Sequence, residues 1–392
     1  MPGPQEKDTP EVTAEQVLDL TVETLQTHLN LSIEGTKCHT LDVLRLLAAA
    51  SAERSSIESA CRETETSPSG NRVREQLEAE LPQGLEELRT LEAEFNEALV
   101  EHLPSCIFKR SRQIATDLVL IPYHGQPEQD EREIRRGPAK RGTTHFHCYA
   151  TAYIILKNKR YTLALTYVWC DERLVEVLKR LLARLKELGI GIKRLFLDRE
   201  FYDVATIRYL QTHNICFVMP VIIRGKQGGT RGLLRKQRKS GHTTYTMQSP
   251  TDGEVTFDVV FVQTYLKGKF GKHGRRWYAF AVSGIKAQPK QVYEMYRLRF
   301  GIESSYRMMN QVRARTCSRR PSLRLLLVGI AFTILNLWSF IRWKWLGQPR
   351  RGGRLVDGKL FHLHRMARML SRSVEAIYGC VLSVPRPVTL VS

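Results

Sequence analysis

Apolar residues recur at helical spacing through 17–31, 41–49 and 73–103, with Pro and Gly sparse, so residues 1–105 read as a helical domain. Inside it, a short helix near 53–62 is followed by the polar turn TETSPSG (64–70), and Ser69 is placed to cap a second helix over 70–79. This outline fits a helix-turn-helix, with Asn71, Arg72 and Arg74 at the start of the second helix, where base edges are met. It fits a purely structural or dimer-forming helical domain equally well.

From residue 106 the pattern changes. IATDLVLIP (114–122) is a short strand ending at a proline, followed by a charged Gly/Pro-rich loop over 124–142. THFHCYATAYIILK (144–157) and RYTLALTYVW (160–169) read as a hairpin joined through Asn158–Lys159. An amphipathic helix fits 172–189 and is closed by Gly189. A strand over 192–198, a helix over 204–214 and a strand over 215–221 follow. Such continuous apolar strands belong to a sheet covered on both faces, an α/β architecture. Residues 224–276 interrupt the order with a basic loop and alternating strands, TTYTMQ and VTFDVVFVQTYL, which read as an insertion. A strand at 275–284 and helices over 289–314 and 322–345 resume it. The expected division is 1–105 (helical), 106–223 and 277–345 (two parts of the α/β domain), 224–276 (β-rich insertion) and 346–392. The last part is a basic tail, read either as a DNA-contacting arm or as a solvated extension.

The apolar run LLLVGIAFTILNLWSFI (325–341) approaches a membrane span in length, with Arg324 and Arg342 at its ends. Asn336 inside it favours a buried core helix, and no membrane partner is expected. The polar, acidic start MPGPQEKDTPEVT carries the expectation of no secretory leader.

Charge sharpens the picture. The 392-residue chain has a formal charge of +20. Residues 1–108 hold 8 basic and 21 acidic residues, a net of −13, whereas 109–392 carry +33. A body so basic is a footprint for a polyanion, nucleic acid first and an anionic membrane surface second. The recurring apolar segments exclude a wholly disordered chain. The eight cysteines form no CxxC pair, so they read as reduced core thiols, not as a disulfide framework or zinc ribbon.

Three carboxylates stand out within that basic body. Asp117 lies in its first strand, Asp198 at the C-terminal end of a buried strand, and Glu303 on the helix after the insertion. Singly, the aspartates fit turn caps and Glu303 fits an ion pair with Arg299 one turn earlier. Together they suit a pair of hard divalent cations, which take carboxylate oxygens plus substrate phosphate and drive in-line attack on phosphorus. His145 and His147 alternate on one strand and face one way, but no third ligand accompanies them. Glu200 and Asp203 flank Asp198 in loop or cap roles, and Asp130 sits in a charged loop.

The segment Tyr296-Arg297-Leu298-Arg299-Phe300-Gly301-Ile302-Glu303 resembles most of the Y-R-E-K signature of the DDE transposases of bacterial and archaeal insertion sequences. LFLDREF (195–201) resembles that family's second-aspartate motif, TDLVLIPYHG (116–125) its first, and LLLVGIAFTILNLW (325–338) the apolar helix after its glutamate. The resemblance spans about 110–345. It departs at the signature lysine, whose position is Asn310; either Arg307 or Arg313 takes over that phosphate contact, or strand handling is altered.

The resemblance implies an RNase H-like mixed sheet flanked by helices, with a β-rich insertion and an all-α N-terminal domain. Asp117, Asp198 and Glu303 would be the catalytic, metal-holding residues, taking two Mg²⁺ or Mn²⁺ ions per site. The implied substrates are double-stranded terminal inverted repeats and target DNA. Tyr296 and Arg299 would touch DNA near the scissile phosphate. Arg224, Lys226, Arg231, Arg235, Lys236, Arg238 and Lys239 would track transposon-end phosphates, positioning DNA without reading sequence. Synapsis of two ends implies a homodimer on DNA, in a prokaryotic cytoplasm at the nucleoid. Two alternatives stand beside this: a domesticated RNase H-like nuclease that cuts without joining, and a non-catalytic sequence-specific DNA-binding protein.

Overall fold

The computed structural model describes residues 11–156, 159–226, 228–267, 273–351 and 353–384. The chain begins with α1 (Ala14–His28), the short strands β1 (Glu34–Gly35) and β2 (Cys38–His39), then α2 (Thr40–Glu53), α3 (Ile57–Arg62), α4 (Gly70–Glu80) and α5 (Leu88–Ala98). It continues through β3 (Arg112–Tyr123), β4 (Arg135–Lys140), β5 (Thr143–Leu156), β6 (Lys159–Val168), α6 (Leu174–Glu187), β7 (Ile192–Leu197), α7 (Val204–Thr212) and β8 (Phe217–Pro220). Then come α8 (Gly229–Arg235), β9 (Gly241–Ser249), β10 (Gly253–Lys267), β11 (His273–Ser283), α9 (Pro289–Arg297) and α10 (Phe300–Met309). The last elements are α11 (Pro321–Lys344), β12 (Gln348–Arg350), β13 (Gly353–Leu355) and α12 (Leu363–Tyr378). Two compact units result, one of residues 1–102 with 308–392 and one of residues 103–307.

The first unit is helical apart from its two short strand pairs. Ser69 Oγ accepts from the Arg72 backbone N–H and so caps α4, the position its sequence marks. The 346–392 segment, expected as an arm or extension, supplies α12. Leu363, Met366, Ala367, Leu370, Val374 and Tyr378 form its buried stripe, which packs on α1 and α2. The 277–345 stretch is likewise divided: α11 joins this unit, lying against α5, α2 and α1. α11 is long and apolar enough to cross a membrane, yet nearly all of it is buried in protein. Asn336 inside it donates to the Leu99 carbonyl at 2.8 Å, which satisfies the amide in an apolar setting.

The second unit is built on one mixed sheet in the order β4-β5-β3-β7-β8-β11-β10-β9, with β6 also paired to β5. β3, β7 and β8 run parallel; α6 leads from β6 into β7, and α7 crosses from β7 to β8. β5 and β6 pair antiparallel; the residues joining them, Leu156–Lys159, include 157 and 158, outside the described residues. Gly189, with φ of +66°, ends the turn after α6. The strands of 241–267, expected as an insertion, continue this sheet through β8–β11 pairing, because their apolar residues Val255, Phe257, Val259 and Phe261 extend its core.

Strand alternation gives the sheet two different faces. One face, with Ile114, Leu195, Leu197 and Phe217, packs under α6 and α7. The other, with Ala115, Phe196, Val218 and Phe280, meets Val292 and Tyr296 of α9 and Ile302 of α10. The helix expected over 289–314 is two helices. Leu298, Arg299, Gly301 and Ile302 each donate three residues back, a 3₁₀-like tightening that separates α9 from α10.

Candidate active site

Asp117 shares its face of β3 with Ala115, two residues earlier, so it points toward α9 and α10. In the parallel β3–β7 ladder, Thr116 is the partner of Leu197. The next residues are Asp117 and Asp198, so parallel register alone sets the two aspartates side by side, Asp117 in the middle of β3 and Asp198 just past the end of β7. Asp198 leads into the 3₁₀ turn Arg199–Phe201. α10 brings Glu303, an exposed residue, up to the same place.

What joins the three is Arg299. The residue is only 3 % exposed. Its Nη2 lies 2.7 Å from Asp117 Oδ2 and 3.5 Å from Asp198 Oδ1, and its Nη1 lies 3.4 Å from Glu303 Oε1. Arg299 therefore has its charge satisfied inside the protein. The expectation that it touches DNA is not what the resting geometry displays, because the α9–α10 break turns it inward. The sequence-level ion pair with Glu303 is real but is one of three.

Burial pushes the Asp117 carboxyl up to about 7; the Arg299 guanidinium pulls it down, Asp198 pushes it up, and the Leu118 amide, donating to Asp117 Oδ1 at 2.9 Å, pulls it down. Burial alone would lower Arg299, but Asp117, Tyr296, Asp198 and Glu303 together raise it.

Tyr296 is also buried, and its hydroxyl donates to the Leu197 carbonyl at 3.2 Å, next to Asp198. Its ring meets Phe280 at 5.0 Å and underlies the Arg299 guanidinium at 5.8 Å. Tyr296 thus packs helix to sheet rather than presenting its ring to solvent. Tyr306, unremarked in the sequence, donates to the Asp117 carbonyl at 3.1 Å and shares a 2.7 Å hydrogen bond with Thr151 Oγ1. Thr151 is the cross-strand partner of Asp117. Tyr306 therefore fastens the Glu303 helix to the Asp117 backbone. Its spacing, one turn beyond Glu303, was the available signal.

The other named residues fall elsewhere. Arg307 is exposed and donates to Ser304 Oγ at 3.1 Å. Asn310 and Arg313 belong to the helical unit, where Arg313 Nε donates to Asn310 Oδ1 at 3.4 Å. Arg235, Lys236, Arg238 and Lys239 are all exposed, on and just after α8. In the helical unit, Asn71 and Arg74 are exposed and bonded to each other at 3.2 Å. Arg72 is half-buried, which takes it away from the surface expected to read bases. Asp203 caps α7 through Thr206, and Asp130 caps the turn at 131–133. His147 is buried, bonded to the Tyr167 hydroxyl at 2.9 Å. Of the cysteines, Cys38, Cys61 and Cys148 are buried, whereas Cys106, Cys170 and Cys317 are exposed, so the expectation of core thiols holds for only some.

Among the described residues, no three His, Cys, Asp or Glu side chains are grouped tightly enough to ligate one ion as they stand. The donor chemistry nevertheless fits a hard cation. Three carboxylates converge on one position, and that position already holds positive charge.

A family model described as the transposase DDE domain matches residues 109–337. No curated protein matches the chain. Among solved structures, the cryo-EM structure of a piggyBac transposase synaptic complex with hairpin DNA is similar. Its TM-score is 0.51 at 12 % identity, over 93 % of this chain and 78 % of that one. At that identity the likeness is one of fold.

Proposed function

The chain belongs to the transposase DDE domain family, and from that premise we propose that it cleaves transposon ends and joins the freed 3′-hydroxyl to target DNA. The convergence of Asp117, Asp198 and Glu303 on one cationic centre carries this reading. We place it on an RNase H-like catalytic fold, a reading supported by the mixed sheet and by the two aspartates adjacent on its parallel strands.

Members of this family generally use divalent metal ions. Asp117, Asp198 and Glu303 would hold two Mg²⁺ or Mn²⁺ ions. When bound, such ions activate a water or a 3′-hydroxyl and stabilise the leaving oxygen of an in-line phosphoryl transfer. The chain's own share is positioning. Parallel register fixes the aspartate pair, Tyr296 and Tyr306 hold α9 and α10 against the sheet, and the basic loop after β8 binds DNA phosphates. The substrates are double-stranded terminal inverted repeats and target DNA, engaged by a homodimer that synapses two ends. The setting is a prokaryotic cytoplasm, at the nucleoid, and the source an insertion sequence of the Y-R-E-K branch.

The test is cleavage of end DNA, taken from the sequence flanking the gene, with Mg²⁺ or Mn²⁺. Wild type is expected to cut and Asp198→Asn to bind ends equally but cut at least about 10³-fold more slowly. Retained cleavage in the variant overturns the assignment. A strand-transfer product from a pre-cut end separates a transposase from a nuclease that only cuts.

A further inference from the structure

The Arg299 guanidinium occupies the meeting point of the only three carboxylates named for chemistry. Three features fix its position. The α9–α10 break turns the residue inward, the Tyr296 ring underlies it, and the three carboxylates reach it at ion-pair distance. Without a cation there, two aspartates side by side on adjacent parallel strands would repel each other, and Asp117 is 8 % exposed. A buried charge of one sign persists only when it is paired. A divalent cation needs the same carboxylate oxygens that Arg299 now holds, and a positive guanidinium in contact with them opposes its entry.

We infer that Arg299 is the resident counter-ion of this site, a positioning residue that holds Asp117, Asp198 and Glu303 converged before metal arrives and competes with the metal for them. The inference rests on the metal-dependent reading given under Proposed function. It makes Arg299 a place-holder: metal loading and release of the guanidinium are one exchange. The freed guanidinium then becomes available to a DNA phosphate, so DNA and metal are expected to favour the same rearranged state.

The test is Mn²⁺ binding to the full-length protein without DNA, followed by electron paramagnetic resonance of the free ion. Arg299→Gln removes the competitor and is expected to bind Mn²⁺ at least about tenfold more tightly than wild type. Arg299→Lys keeps the charge and is expected to stay near wild type. Equal or weaker binding by Arg299→Gln, or an equal gain by Arg299→Lys, overturns the inference while leaving the metal-dependent reading intact. Absence of Mn²⁺ binding by wild type and both variants overturns the metal-dependent reading itself. A second measurement needs no variant. Phenylglyoxal modification of the wild-type peptide carrying Arg299, read by mass spectrometry, is expected to be low without metal and to rise severalfold at saturating Mg²⁺. If Mn²⁺ binds and that modification does not change with Mg²⁺, the guanidinium stays in place and the inference fails.

Discussion

The carboxylate cluster around Arg299 and the loop at 224–239 both concentrate charge, and they handle it in opposite ways. In the cluster, one buried guanidinium is shared by three carboxylates, and even the tyrosines around it are committed to backbone carbonyls. In the loop, Arg224, Lys226, Arg231, Arg235, Lys236, Arg238 and Lys239 are exposed, while the backbone beneath is pinned. Thr230 Oγ1 accepts from the Arg224 N–H at 2.8 Å and donates to the Ile222 carbonyl at 2.8 Å. Under the proposed function, the charge that organises chemistry is buried and internally neutralised, and the charge offered to DNA is left solvated, where its desolvation is deferred to binding.

The comparison breaks first at the loop. Replacing Arg235, Lys236, Arg238 and Lys239 together by alanine is expected to weaken end binding strongly and to lower the slope of log affinity against log salt by about 3.6, roughly 0.9 per lost phosphate contact. The residual cleavage at saturating DNA should keep its metal dependence. An unchanged salt slope, measured by filter binding or fluorescence anisotropy, would remove the loop from the interface.

A smaller effect sharpens the cluster side. The Asp117 carboxyl is raised by burial to about 7, so the folded protein holds its proton where the unfolded chain, with aspartate near 4, has lost it. The stabilising contribution is therefore complete below about pH 4 and is lost as pH rises through about 7. Metal-free wild type should lose stability across that window, and Asp117→Asn should show a flatter profile in urea titrations. Metal binding, which needs the carboxylate, should strengthen over the same window. Identical profiles for the two proteins would contradict a buried, proton-holding Asp117.

The smallest expected effect is at the fastening hydroxyl. Tyr306→Phe removes the bonds to the Asp117 carbonyl and Thr151, each worth about 1 kcal/mol. It should raise the metal concentration for half-maximal cleavage and lower the rate about tenfold, with end binding unchanged. A parallel loss of end binding would make Tyr306 a general structural residue instead.

Much of the site is legible in the sequence. The strand over 114–122 carried Asp117 and the strand over 192–198 ended on Asp198, but the face that Asp117 takes was not legible in so continuous an apolar run. The spacing from Tyr296 to Glu303 fixed a helical neighbourhood for Arg299. Less legible was α12, whose apolar stripe at 363–378 is plain in hindsight but lies in a segment whose basic composition resembled a solvated tail. The strands at 241–267 likewise read as a separate insertion, because alternation reveals a half-buried strand but not the sheet it joins.

The sequence by itself determined much of the local structure: most of the strands and helices, the Ser69 cap of α4, and where charge accumulates. These follow from periods of 2 and 3.6 and from capping chemistry, all set within a few residues. Only the tertiary structure decided that Arg299 faces three carboxylates rather than solvent, that Tyr306 reaches Asp117, and that the chain's last helix returns to its first. Those outcomes depend on pairings between residues as far as 189 positions apart for Tyr306 and Asp117, or 336 for Tyr378 and Asp42. Such pairings are chosen by the burial of whole faces, and no local pattern encodes them.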